Sequence, residues 1–272
     1  ERVRCGREKA RVVPTHGLDA RYQLCEKIKI ADSRVNITDD GYLMEIDQPD
    51  RIGPEDISFK TKNLTFCVKD PDIEKNGERH KWISDYVNKA EEALLGSNFL
   101  DETEGYANYF DKVSFVDWYL INEITKNNDA CFFSSCYLNI TPGGKLKMGP
   151  LWDYDIALGN VNYNDNQSYE GFWIKKKVTW FSRMFEDPSF VALVKERFAY
   201  FKSKENDMLT NINENATYLK FSVIENNAKW NTLYEQTWPN YAVWGSYNNE
   251  VQYLKQWLSK RLAWLESAFS EL

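Results

Sequence analysis

A chain of 272 residues with 43% apolar and 28% charged residues can bury a sizeable core, which excludes disorder, collagen and coiled-coil arrays. Asp and Glu number 41 against 34 Lys and Arg, a net charge of −7, which argues against a broad electrostatic hold on nucleic acid and leaves no nucleic-acid partner expected. No apolar run approaches the roughly 18 residues needed to cross a bilayer, so no transmembrane segment is expected.

The start, Glu1-Arg2-Val3-Arg4-Cys5, is not a signal peptide and reads as a cut edge. The expectation is a cell-surface or secreted protein that has lost its signal, with a cytoplasmic one as the alternative. Residues 1–19 are basic and lack periodicity. From Arg21 the pattern alternates through Tyr22, Leu24, Ile28 and Ile30, which predicts a strand over 20–30. A turn at Asp39-Asp40-Gly41 leads into a second short strand, Tyr42 to Asp47, and Gly53-Pro54 and Asp70-Pro71 punctuate the stretch after it. From His80 the period becomes helical: Trp82, Ile83, Tyr86, Val87, Ala90, Ala93 and Leu94 predict a helix over 78–95 that stops at Gly96. Residues 113–124 are apolar on nearly every side and predict a helix buried at the centre of the fold. Three further amphipathic stretches come after it, at about 178–203, 209–232 and 247–269. The expected organisation is an unmatched segment at 1–19, a mostly β part at 20–77 and a mainly helical part at 78–272, together an α+β fold.

The chemistry gathers after the buried helix. Asp129 is followed by an apolar run from Cys131 to Ile140, the turn Thr141-Pro142-Gly143-Gly144, a short strand Lys145 to Met148, and Trp152-Asp153-Tyr154-Asp155. This order reads as helix, loop, β-hairpin, acidic loop. Folding the hairpin sets Asp129 and Asp153 at one mouth, because paired strands lie about 5 Å apart. Carboxylates gathered there call for a proton or a hard cation, Mg²⁺, Mn²⁺ or Ca²⁺. Capping of turns is the plainer role for a lone Asp.

The run Gly149 to Asn160, GPLWDYDIALGN, resembles the signature of the CotH kinase family, the spore-coat protein H-like proteins. Tyr22 to Ile28, Gly41 to Asp47, Trp118 to Glu123, and Trp180 to Phe185 with Phe190 and Arg197 resemble further family segments, over roughly 20–269. The resemblance implies an atypical protein-kinase fold, here with an incomplete N-terminal β lobe and a mainly helical C-terminal lobe. It also implies transfer of the ATP γ-phosphoryl, with Mg²⁺ or Mn²⁺, to Ser or Thr of a surface or coat protein. By position it makes Asp129 the catalytic-loop Asp and Asp153 the metal ligand, with Asp155 as a second; Ser134 stands where the kinase template has its Asn. The family's Arg-Gly-Asn and Lys-rich segments have no counterpart before Tyr22, which leaves Glu26, Lys27 and Lys29 as local charges to face a nucleotide, and Glu45 on a hinge-like strand to present backbone groups to its base. Those departures keep a non-catalytic binding module on a kinase-like scaffold, a pseudokinase, as the alternative. A metal-dependent hydrolase at the same mouth is a third reading.

Aromatics make up 15% of the chain. The cluster Trp230, Trp238, Trp244, Tyr234, Tyr241 and Tyr247 suits either a platform for sugar rings or packing onto the last helices, and packing is the expectation. The 5 cysteines lack a zinc or disulfide pattern and read as reduced thiols, and His16 and His80 form no spacing motif.

Overall fold

The structure, a computed structural model, describes residues 28–272. The 1–19 segment, most of the strand expected at 20–30, and the candidate residues Glu26 and Lys27 lie outside the described residues. Of that strand, Ile30 makes a single bridge to Val35, and Lys29 is exposed. The alternation nevertheless reads correctly, because Ile28 and Ile30 pack inward against a small cluster of Val35, Leu43 and Tyr137.

Five strands form one antiparallel sheet: β1 (Tyr42–Ile46), β2 (Ser58–Lys60), β3 (Thr65–Asp70), β4 (Cys136–Ile140) and β5 (Lys147–Met148), in the order β2-β3-β1-β4-β5. Hydrogen bonding therefore crosses the boundary expected at residue 78, since β1 pairs with β3 on one side and with β4 on the other. All five residues of β1 are buried because both sheet faces are covered. Tyr42, Met44 and Ile46 enter the main core and Leu43 the small cluster.

Helix α1 (Glu78–Leu95) has the predicted bounds, and Arg183 donates to the carbonyls of Leu94 (3.3 Å) and Gly96 (2.8 Å) at its end. Helix α2 (Lys112–Thr125) is the buried central helix. Asp111 caps its first turn by accepting from the Ser114 N–H at 2.9 Å, and Lys126 ends it in the left-handed region at φ 46°. A four-residue helix that the sequence does not announce, α3 (Ile174–Lys177), precedes α4 (Thr179–Met184), α5 (Pro188–Ser203), α6 (Glu205–Trp230) and α7 (Tyr247–Ser270). The single amphipathic stretch expected at 178–203 is thus two helices. Pro188 lacks the N–H that a continuing helix requires, so it opens α5 instead.

Asp187 caps α5 through the Ser189 N–H (2.8 Å) and also accepts from Tyr106 Oη (2.6 Å) and Lys112 Nζ (2.6 Å). Burial alone would raise its pKa, but the bonds from Lys112, Tyr106 and Ser189 outweigh it and hold the carboxyl at about 2. Asp187→Ala is expected to cost about 2–3 kcal/mol, measured by urea unfolding at pH 7. The wild-type advantage should be complete above the unfolded carboxylate value near pH ~4 and be lost as pH falls toward about 2. A cost that does not change over that window would refute the assignment.

The remaining family-like residues now have physical roles. Trp180, Phe181 and Phe190 are core side chains, and Arg197 makes a two-pronged ion pair with Asp117, tying α5 to α2. Among the described residues no helix is long and apolar enough to cross a membrane.

Candidate active site

The β4–β5 hairpin forms as predicted, with Leu138 opposite Met148 and a turn closed by the Gly144 N–H on the Thr141 carbonyl at 2.9 Å. It does not by itself deliver the acidic groups, because β4 begins only at Cys136 and residues 131–135 are turns, not strand. Three direct bonds do so. The Leu158 N–H donates to the Thr125 carbonyl (2.6 Å), the Asn128 N–H to the Ile156 carbonyl (3.2 Å), and Asn127 Nδ2 to the Asp153 carbonyl (2.9 Å). The chain leaving α2 is thereby laced along the acidic loop.

The loop's own shape fits that lacing. Asp153 sits at φ 57°, and Gly159 sits at φ 80°, where a Cβ would run into the Trp257 indole. Tyr154 points its hydroxyl back to Asn122 Oδ1 at 3.0 Å, fixing the loop on α2.

Beneath the mouth lies a buried polar frame that sequence reasoning missed. Glu123 and Arg261 are fully buried and paired at 2.7 Å. The Glu123 carboxylate also accepts the backbone N–H groups of Trp173, Ile174 and Lys175, while Arg261 donates to the carbonyls of Glu123, Tyr169 and Gly171. Lys126 Nζ donates to the carbonyls of Ser168 (2.7 Å) and Glu170 (2.5 Å). Burial, with Arg261 nearby, pulls its pKa down to about 8. The frame fixes the end of α2, three residues before Asp129.

Asp129 is half-buried at the mouth, and burial raises its carboxyl above the usual carboxylate range. A hydrogen bond from Asn128 and the charge of Arg51 oppose that shift, and the charges of Asp155 and Asp47 add to it. Asp129 and Asp155 therefore lie within electrostatic reach of each other. Tyr163, which accepts from Asn128 Nδ2 at 3.0 Å, has its hydroxyl pKa raised by burial and then by the same two carboxylates.

Asp47 and Arg51, which the sequence did not single out as site residues, come to the mouth because the loop after β1 is tied down by Gln48 Nε2 on the Phe133 carbonyl (2.9 Å). Arg51 Nη1 donates to Ser134 Oγ at 2.7 Å and lies 3.9 Å from Asp47. Ser134 is buried, and its hydroxyl is engaged by a guanidinium. Glu45 is buried and ion-paired with Lys69 at 3.1 Å, and its strand is paired on both sides, so the free strand edge expected there is absent.

Among the described residues no three His, Cys, Asp or Glu side chains form a metal-holding group. That absence is compatible with Mg²⁺ in phosphoryl transfer, which takes one or two carboxylates and completes its shell with phosphate oxygens and water.

The family described as CotH kinase protein matches residues 20–265 of 272, from before β1 to the last turns of α7. No curated protein matches. With a match that takes in the central helix, the hairpin and the acidic loop together, the chain belongs to the CotH kinase family.

Proposed function

We propose that the mouth transfers the γ-phosphoryl of ATP to a Ser or Thr hydroxyl of a protein acceptor. The observation that carries this reading is the placement of Asp129 and Asp155 within electrostatic reach at one mouth, with Asp153 on the same laced loop. Asp129 orients the acceptor hydroxyl and takes its proton as its oxygen bonds to the γ-phosphorus and the bond from that phosphorus to the β–γ bridging oxygen breaks, releasing ADP. Asp153 and Asp155 are the residues that would hold the divalent ion. When bound, that ion neutralises charge on the phosphate oxygens. Arg51, half-exposed at the mouth, provides a fixed positive charge toward the phosphates. Positioning and charge neutralisation are most of what phosphoryl transfer requires of a protein.

The test is incorporation of labelled γ-phosphate by the wild type and by Asp129→Asn with Mg²⁺. A large loss in the variant is expected, and equal incorporation refutes the reading.

The bond from Arg51 to Ser134 favours a second reading, a pseudokinase, because the hydroxyl at the second metal-ligand position of the template is already engaged. Calorimetry separates the two. Micromolar Mg²⁺-ATP binding is expected of the kinase, and no detectable heat supports the binding module.

A further inference from the structure

The expectation that the aromatic cluster packs onto the last helices holds for Tyr241 and Trp244, which stack on Tyr253 of α7, and for Tyr247, whose hydroxyl donates to the Ala216 carbonyl of α6, and fails for the other three. Trp230, Tyr234 and Trp238 are 55%, 62% and 73% exposed. The loop that carries most of them, residues 231–246, is pinned to the acidic loop by Asn160 Nδ2 on Asn240 Oδ1 (3.0 Å) and by the Asn162 N–H on the Pro239 carbonyl (3.0 Å). Two ring stacks flank those ties. Trp238 lies on Tyr163 with centroids 5.9 Å apart, and Trp244 lies on Tyr253 at 4.6 Å with Tyr241 beside it. Tyr163 in turn is bonded to Asn128, the neighbour of Asp129. Two aromatic stacks therefore lie on the outer side of the acidic mouth, one of them joined to it through Tyr163 and Asn128.

At the stack of Trp244 on Tyr253 lies a cavity of about 640 Å³ between the acidic loop, the C-terminal half of α6, the pinned loop and the first turns of α7. Its lining is mostly aromatic and aliphatic, with the amides of Asn160, Asn226 and Asn240 and the hydroxyls of Ser222 and Thr232. Asp155 and Glu250 are its charged groups, and no Lys or Arg lines it among the described residues. Two acidic groups and no cation repel phosphates and acidic peptides. Glu250 accepts the Trp244 N–H at 2.9 Å and keeps its charge, so a cationic ligand is the competing occupant that the test below includes. Beside the carboxylates stand amides, each with one group already bonded within the protein (Asn160 Nδ2, Asn226 Nδ2 and Asn240 Oδ1) and the other left to meet neutral hydroxyls, and flat rings matched to the C–H faces of pyranoses.

We propose that this cavity is a groove for a neutral oligosaccharide, which lies over Tyr241 and Trp244, bonds to Asn160, Asn226 and Asn240, and runs along the Trp238 stack toward the mouth. The inference does not rest on phosphoryl transfer, since binding is read without nucleotide.

The test is calorimetry on the full chain with cellohexaose, laminarihexaose, xylohexaose, mannohexaose, maltohexaose and chitohexaose as probes, and with hexalysine in parallel. At least one hexaose is expected to bind in the micromolar to low millimolar range. Trp244→Ala and Tyr241→Ala should each weaken it by at least about tenfold, the loss typical of a central aromatic contact. Trp244→Phe, which keeps a ring, should restore most of the affinity, and Phe221→Ala, on the exposed face of α6 outside the groove, should leave it unchanged. The proposal is overturned if no hexaose binds, if affinity is unchanged in both alanine variants, or if hexalysine binds and no hexaose does. None of these outcomes bears on phosphate incorporation, so the two readings fail separately.

Discussion

Replacing Asp129 by Asn is expected to lower phosphate incorporation by roughly 10²–10⁴-fold, the usual contribution of a positioned general base, while making the protein more stable at pH 7. The stability gain comes from the same burial that suits the residue to its role. The folded-state pKa is raised, first by desolvation and then by Asp155 and Asp47, so the folded protein holds that proton more tightly than the unfolded chain does. Protonation therefore favours the fold. The penalty for ionising Asp129 appears as pH rises through the unfolded value near ~4, and it is complete once pH exceeds the raised folded value. Asn carries no charge, accepts from Asn128 as the acid does, and escapes the penalty. The melting temperature of the variant should exceed that of the wild type at pH 7, and the difference should vanish below pH ~4. The wild-type rate should decline on the acid side at a pH above the usual carboxylate value, as Asp129 takes up its proton. A variant that loses both activity and stability at pH 7 would mean that Asp129 is a structural cap.

Arg261→Met should cost about 3–5 kcal/mol, because it strands the Glu123 carboxylate with no countercharge in a fully buried site. That is a large share of the ~5–15 kcal/mol that typically separates folded from unfolded domains. The loss extends beyond the pair, since Arg261 also holds the carbonyls of Tyr169 and Gly171. The segment freed in this way is the one Lys126 grips through Ser168 and Glu170, so the end of α2 should loosen and the lacing of Asn127 and Asn128 to the acidic loop should weaken with it. The double variant Glu123→Gln/Arg261→Met removes both charges and should recover part of the stability. Urea unfolding of the single and double variants reads both effects. A single-variant cost under about 1 kcal/mol would show that the pair is not the keystone of this frame.

The legible part of the fold was the part written in local periodicity. Helix α1, the central helix α2, strand β1 and the β4–β5 turn fall where spacing and turn residues place them. The break at Asp187-Pro188 was missed in the stretch read as 178–203, although its cause is local, a proline that cannot continue a helix. Less legible were pairings between distant segments. Nothing in the alternation of β1 says that it lies between β3 and β4, and a strand read alone gives no sign of an edge. Within the site, Asp129, Asp153 and Asp155 were visible as acids in an apolar setting. Arg51 and Asp47 were not, because they reach the mouth only through a loop tied to Phe133, 85 positions from Gln48.

The sequence alone determined the family, the long helices α1, α2, α6 and α7 to within a few residues and the acidic composition of the mouth, because these depend on residue identity and short-range spacing. Only the tertiary structure decided what those acids face. Backbone bonds of Thr125 and Asn128 to the acidic loop bring Asp129 within electrostatic reach of Asp155, and the loop pinned to Asn160 leaves Tyr234 and Trp238 exposed. The physical reason is that burial, charge proximity and hydrogen-bond partners belong to pairs of groups. A pair far apart in the chain acquires its energy only when the fold closes the distance.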